Sequence, residues 1–219
     1  MILAAGRGVR LSHLTVETPK PLVRFGGQSM IERHDNALSA AGIRELVINH
    51  AHLGEQLVQA LGDGAACGVD IQWSAEPAGA LETGGGIFNA LPLLGDAPFV
   101  VVNADIWTDF PFSELPDEPD GLAHLVLVDN PAHHPVGDFV LSSDRVSQGG
   151  GARLTFSGIG VYRPELFSGC SAGAFPLAPL LRQAMDDGRV SGARYHGVWF
   201  DIGTPERLQE VNDVVINRQ

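Results

Sequence analysis

Met1 to Leu11 reads MILAAGRGVRL. MILAA is an apolar run suited to a buried strand, and a glycine-rich turn follows it directly. The alternation then repeats. SMIERHDNALSAAG reads as a helix with Ser29 as N-cap and Gly42 as stop, ELVINH as a strand, LGEQLVQALG as a helix and DIQWS as a strand, and GIFNALPLLG is a short helix leading into the run FVVVN. This βαβαβαβ order predicts a doubly wound sheet, parallel in its first part, with ligands at the carboxyl ends of its strands. After Asp120 the pattern changes. AHLVLV, DFVLS and RLTFSGIGVY are strands with short connections, so antiparallel pairs are expected there. LAPLLRQAMDDG is a helix, YHGVWFDIG a strand and turn, and PERLQEVNDVVI a closing helix with Pro205 in its first turn. No linker, repeat or low-complexity tract divides the chain, and QGGGA, Gln148 to Ala152, has the composition of a mobile loop.

The chain has 219 residues, 44% of them apolar, enough for one substantial core. Its net charge of −12 and the lack of any basic stripe argue against nucleic-acid backbone or anionic membrane as partner. Positive charge is local: Arg7, Arg10, Lys20, Arg24 and Arg33 outnumber Glu17, Glu32 and Asp35 at the N-terminal end. Cys67 and Cys170 lack CxxC spacing and read as buried thiols rather than a disulfide or a zinc site, as in a reducing cytoplasm. No apolar run approaches the length of about 18 residues that a membrane span needs, and MILAAGRG lacks a signal peptide's basic leader. A cytoplasmic protein with no evident protein partner is the expectation.

The glycine-rich turn is not one of the common nucleotide loops. A dinucleotide fingerprint needs glycine where Leu11 stands and an acidic residue after the second strand, which instead runs VINHAH; a Walker A loop needs GK[ST]. A phosphate loop of another kind and a plain βα turn both remain open. Ten residues beyond Arg10, TPKPL (Thr18 to Leu22) holds Lys20, the one lysine among fourteen Lys and Arg residues. A compact ammonium between two prolines, which restrict φ and push the residues before them toward extended shapes, suits a point charge held in place.

LAAGRGVRL and TPKPLV, followed in order by EPAGALETGGGI, VVNADIW, FSGIGVY and WFDIGTPERL, resemble the signature of the sugar-1-phosphate nucleotidylyltransferases over nearly the whole chain. The resemblance implies one Rossmann-like nucleotidyltransferase domain over residues 1–219, with a mixed, mainly parallel central sheet flanked by helices. About 1–120 would be the nucleotide-binding half and about 121–219 the sugar-binding half. It implies an enzyme that joins a nucleoside triphosphate to a sugar 1-phosphate and releases pyrophosphate. LETGGGIFNALPLLGDAPFVVVNADIWTDF, GLAHLVLVDNP and LAPLLRQAMDDGRVSG resemble members that use UTP and N-acetylmuramate 1-phosphate. Alternatives are another base or sugar, such as a GTP or dTTP donor with a heptose or hexose, and a catalytically silent nucleotide-sugar sensor.

Attack of one phosphate on another gathers negative charge, so such catalysis is positioning and electrostatic neutralisation. By resemblance, Ala5, Gly6, Gly8 and Val9 let backbone approach the nucleotide, Arg10 clamps the leaving phosphates and Lys20 contacts phosphate, these two being the catalytic cations. Asp105 and Asp201 each end an apolar strand and match the family's metal positions. Their oxygen ligands favour Mg²⁺. NHAH (Asn49 to His52), His133 and His134 read as loop or surface histidines. EPAGALETGGG is too rich in glycine for an ordinary helix or strand; as a loop it would form part of the base pocket, with Glu82 and Gly84 near the base and Asn103 near the ribose or sugar. Many relatives place a second lysine on the sugar phosphate, and this chain has none. Asp138, Gly158 and Arg153 are the sugar-side candidates, with Arg163 and Arg194 as alternatives to Arg153 for a cation facing the lactyl carboxylate.

Overall fold

The computed structural model describes residues 1–77 and 81–217, and the side chains of all of these except Ser12 and His13. In chain order the first part holds β1 (Ile2–Leu3), 3-10 turns at Val9–Thr15 and Lys20–Leu22, β2 (Arg24–Phe25), β3 (Gln28–Ser29), α1 (Met30–Ala40), β4 (Glu45–His50), α2 (Gly54–Leu61) and β5 (Asp70–Ala75). Next come α3 (Glu82–Leu94), β6 (Phe99–Asn103), β7 (Ile106–Thr108), β8 (Ala123–Val128), β9 (Phe139–Ser142), β10 (Arg145–Ser147) and β11 (Arg153–Tyr162). The chain closes with α4 (Ala178–Asp186), β12 (Val190–Tyr195), β13 (Trp199–Asp201) and α5 (Pro205–Ile216). Helices and strands fall where the alternation predicts them. The β2–β3 pair and the strands β7, β10 and β12 carry no such signal, because each is short or broken by glycine and charge.

Local chemistry sets the boundaries. The Ser29 hydroxyl accepts from the Glu32 N–H at 3.3 Å while the Glu32 carboxylate accepts from the Ser29 N–H at 2.7 Å, a capping box that starts α1. Thr204 does the same for α5 with a single bond, accepting from the Arg207 N–H at 3.4 Å.

The chain gathers into two compact units, Met1–Ala80 with Asn103–Ser113 and Val198–Gln219, and Leu81–Val102 with Glu114–Gly197. In the first, β1, β4 and β5 form a parallel set, with Leu3 opposite Asn49 and Asn49 opposite Ser74. Beyond β1 the ladder is continued by a side chain: the Ala4 N–H donates to Asn49 Oδ1 at 2.6 Å, and Asn49 in turn donates to Glu76 at 2.6 Å. β7 and β13 form a separate antiparallel ribbon. Beneath it lies a cluster of Leu11, Val23, Phe25, Met30, Ile202, Val211 and Val215. Burying each such side chain contributes about 1.5–3 kcal/mol. Leu11 follows Arg10, Val23 follows the Lys20 turn and Ile202 follows Asp201, so one core anchors three separated stretches of chain.

The second unit centres on β11, antiparallel to β6, β8 and β9, while β12 runs parallel to β8 and antiparallel to β10. Within the units, the parallel pairs given above are β1–β4, β4–β5 and β8–β12. No helix among the described residues is long and apolar enough to cross a membrane.

Candidate active site

The loop after β1 and the lone lysine touch. Gly8 has φ +62°, the left-handed region that favours glycine, and its carbonyl accepts from the Leu11 N–H and the Thr15 hydroxyl, both at 2.9 Å. A methyl group on Gly8 would sit 2.9 Å from Cβ and 3.2 Å from Cδ of Lys20, so the bare Cα is what lets the lysine stem lie against the loop. On Gly6 a methyl would meet nothing within 4 Å, and Val9 is 77% exposed, whereas Ala5 is buried. The loop presents its Gly6–Val9 face to open space and packs its other face on Lys20.

Lys20 itself is 8% exposed. Its Nζ donates to Asp105 Oδ2 at 2.7 Å, an ion pair in which the carboxylate is the more exposed partner. The extended shape expected before Pro21 is corrected here: Lys20–Leu22 forms a 3-10 turn closed by the Leu22 N–H on the Pro19 carbonyl at 2.9 Å. That closure outweighs the local preference, and the fixed φ of Pro21 suits the turn.

Asp105 and Asp201 are brought together by the ribbon. Asp201 stands opposite Ile106, and the Ile202 N–H donates to the Asp105 carbonyl at 2.7 Å, so the two residues occupy adjoining backbone positions. Asp201 Oδ2 accepts from Arg207, which the N-terminal turn of α5 places over it. Arg10 and Arg207 converge on Gly203, where a methyl group would lie 3.4 Å from Arg10 Cζ and 2.6 Å from Arg207 Nη2. Arg10, Lys20, Arg207, Asp105 and Asp201 therefore form one cluster with three positive and two negative groups. Among the described residues no group of three or more His, Cys, Asp and Glu is placed to hold a metal ion.

Beneath the cluster, His34 on α1 is 4% exposed, and burial pushes its pKa down to about 4, against a hydrogen bond to the Ile106 backbone that raises it. Arg207 and His34 carry no motif signal in the sequence. Arg207 looks like an ordinary residue in the first turn of a helix, and His34 like one polar position of an amphipathic one.

The glycine-rich segment is a correction. Ala78, Gly79 and Ala80 lie outside the described residues, but Glu82, Thr83 and the three glycines that follow form the first turns of α3 rather than a loop. The glycines are needed for closeness. A methyl on Gly84 would lie 2.6 Å from the Phe175 ring, one on Gly85 would strike the Gly173 carbonyl, and the Gly85 N–H donates to the Phe175 carbonyl at 3.0 Å. Glu82, an exposed residue, opens the helix at φ +59°, a conformation rare for a side chain of its size. Asn103 is half-buried at the end of β6, just ahead of Ala104, whose N–H donates to the Leu3 carbonyl at 3.0 Å.

In the second unit, Asp138 accepts from the Phe156 N–H at 2.8 Å and bonds His134 at 3.1 Å. Gly158, at φ +82°, lies where β11 shifts register against β8 between Phe156 and Gly160. Arg153 donates to the Gln148 carbonyl at 3.0 Å. Arg163 pairs with Glu118 at 2.6 Å and Arg194 with Asp129. Of the other histidines, His50 packs edge-on against Trp73, ring centroids 5.7 Å apart. Cys67 and Cys170 are free thiols but half-buried rather than buried.

The nucleotidyl transferase family model matches residues 1–135. The chain belongs to that family. This nucleotidyl transferase is 54% identical, over 96% of its length and 95% of the relative's, to the N-acetylmuramate alpha-1-phosphate uridylyltransferase of Neisseria meningitidis serogroup B. It is 34% identical, over 94% and 92%, to the protein of the same name from Caulobacter vibrioides. Among solved structures, a Bacillus anthracis protein assigned as a glucose-1-phosphate thymidylyltransferase superposes with a TM-score of 0.86 over 98% of this nucleotidyl transferase and 93% of that chain, at 21% identity, a likeness of fold.

Proposed function

We propose that this nucleotidyl transferase moves a uridylyl group from UTP to N-acetylmuramate 1-phosphate, giving UDP-N-acetylmuramate and pyrophosphate, in the cytoplasm and in the reuse of cell-wall sugars. The observation that carries the reading is the charge cluster of Arg10, Lys20, Asp105 and Asp201 beside an open glycine loop, in a chain 54% identical to a relative of that name. An oxygen of the sugar phosphate attacks the α-phosphorus of UTP, the bond from that phosphorus to the bridging oxygen breaks, and pyrophosphate leaves with the electron pair. Arg10 and Lys20 hold the phosphates in line and neutralise charge that builds on the leaving oxygens. Gly6 and Gly8, flanked by Ala5 and Val9, offer backbone N–H groups to the triphosphate. Glu82 and Gly84 meet the base and Asn103 the ribose or the sugar.

Asp105 and Asp201 fit Mg²⁺. Both are hard oxygen donors, Asp105 just ahead of β7 and Asp201 at the end of β13, the donor chemistry that Mg²⁺ prefers. Bound there, Mg²⁺ would neutralise phosphate charge and polarise the reacting phosphoryl group.

On the sugar side, Asp138 and Gly158 face sugar hydroxyls and Arg153 takes the lactyl carboxylate. Arg163 and Arg194 are each committed to an acidic side chain, while the contact of Arg153 is a neutral carbonyl, which leaves its charge for an anion. The test is pyrophosphate release with four nucleoside triphosphates against several sugar 1-phosphates. UTP with N-acetylmuramate 1-phosphate is expected to give the highest kcat/KM, and Arg153→Ala to narrow its lead over N-acetylglucosamine 1-phosphate. No lead for the lactyl sugar overturns the acceptor assignment.

A further inference from the structure

Two guanidinium groups converging on one Cα is a costly arrangement unless anions offset it. At Gly203 they converge: a methyl group there would touch Arg207 Nη2 at 2.6 Å and approach Arg10 Cζ to 3.4 Å. Arg207 is offset by Asp201, and its side chain is 14% exposed. Arg10 has no hydrogen bond or ion pair among the described residues. The same cluster pairs Lys20 with Asp105. Each carboxylate assigned to the metal is thus already held by a cation of the chain, and one further cation beside them is left over.

We propose that Arg207 is a phosphate-binding residue whose resting partner is Asp201. In the nucleotide-free protein Arg207 keeps Asp201 neutralised and aimed. When Asp201 turns to a divalent ion, the guanidinium is released a few ångströms from Arg10, and the two flank Gly203 as a pair of planar forks for phosphate oxygens. The charge count supports this. A triphosphate of about −4 with Mg²⁺ leaves about −2, and the two carboxylates return it to about −4. Arg10 and Lys20 alone would leave about −2 before the sugar phosphate enters, and Arg207 brings it to about −1. Gly203 is the position that permits the pair, since any side chain would push one guanidinium away. This proposal rests on the reading of Asp201 as a metal ligand and Arg10 as a phosphate clamp.

The experiment compares wild type with Arg207→Gln and Arg207→Lys in two binding measurements without nucleotide. One is Mn²⁺ titration followed by electron paramagnetic resonance, and the other is pyrophosphate binding by calorimetry. Arg207→Gln is expected to bind Mn²⁺ at least threefold more tightly, because the competing cation is gone, and pyrophosphate at least tenfold more weakly. Arg207→Lys, which keeps the charge on a flexible stem, is expected to fall between, with circular dichroism unchanged in both. Unchanged or weaker Mn²⁺ binding in Arg207→Gln overturns the exchange, and unchanged pyrophosphate affinity overturns the phosphate role. Asp201→Asn separates the underlying reading. If Mn²⁺ affinity is the same without that carboxylate, the metal assignment falls and the exchange with it, while the pyrophosphate measurement still decides the phosphate role of Arg207.

Discussion

The ammonium of Lys20 lies 2.7 Å from Oδ2 of Asp105 across 85 positions of sequence, and the lysine stem runs under Gly8. Three separate motifs thereby meet in one place. A charge buried to 8% exposure and paired at that distance is held in one geometry, which is the condition for electrostatic catalysis.

Lys20→Ala is expected to lower turnover by about 10² to 10³, the scale of losing one preorganised charge stabiliser. Gly8→Ala is expected to lower it too, since a methyl group would press on the Lys20 stem in a backbone conformation that alanine disfavours. Steady-state pyrophosphate release measures both, and rates within a few-fold of wild type for Lys20→Ala would remove it from the mechanism.

Asp105→Asn and Asp201→Asn are expected to abolish most turnover at limiting Mg²⁺, and raised Mg²⁺ should restore part of it, because each removes one of two anionic oxygen donors. Equal rates for wild type and both variants across a Mg²⁺ titration would refute the metal assignment.

Asp35 on α1 is fully buried, and neither carboxyl oxygen has a hydrogen-bond partner among the described residues. Burial first and the neighbouring Glu32 second push its pKa up to about 7, well above the value of about 3.9 for an unfolded chain. Between those values the folded protein keeps a proton that the unfolded chain has released. The contribution of Asp35 to stability is therefore full below about pH 4 and declines until the pH passes about 7. Asp35→Asn should flatten this slope, so that the fall in Tm between pH 5.5 and 8.5 is smaller in the variant. An equal or larger fall would count against it.

Gly85→Ala should destabilise the fold by about 1–3 kcal/mol or more, because the added methyl strikes the Gly173 carbonyl, whereas Gly149→Ala, with nothing within 4 Å, should stay within about 0.5 kcal/mol of wild type. Urea unfolding of the two variants distinguishes a packed helix start from the open loop that its composition suggests.

The sequence by itself determined the alternating elements, the ends of α1 and α5, and the residue types of the proposed phosphate site. Hydrophobic period and capping chemistry are local, so the Ser29–Glu32 box and the apolar run of β4 are legible without a fold. The glycine loop, TPKPL and two strand-ending aspartates are likewise visible as types. Tertiary structure alone decided what they touch. Pairing of β7 with β13 sets Asp105 beside Asp201 through backbone hydrogen bonds between stretches nearly a hundred positions apart, and no local pattern encodes such a register. The same holds for α3, whose glycines read as a loop because propensity disfavours them in a helix. Contact with Phe175 and Gly173 reverses that preference, since only a bare Cα allows so close an approach. Arg207 was invisible for the corresponding reason: an arginine in a first helical turn is ordinary until the ribbon places Asp201 under it and Gly203 brings Arg10 alongside.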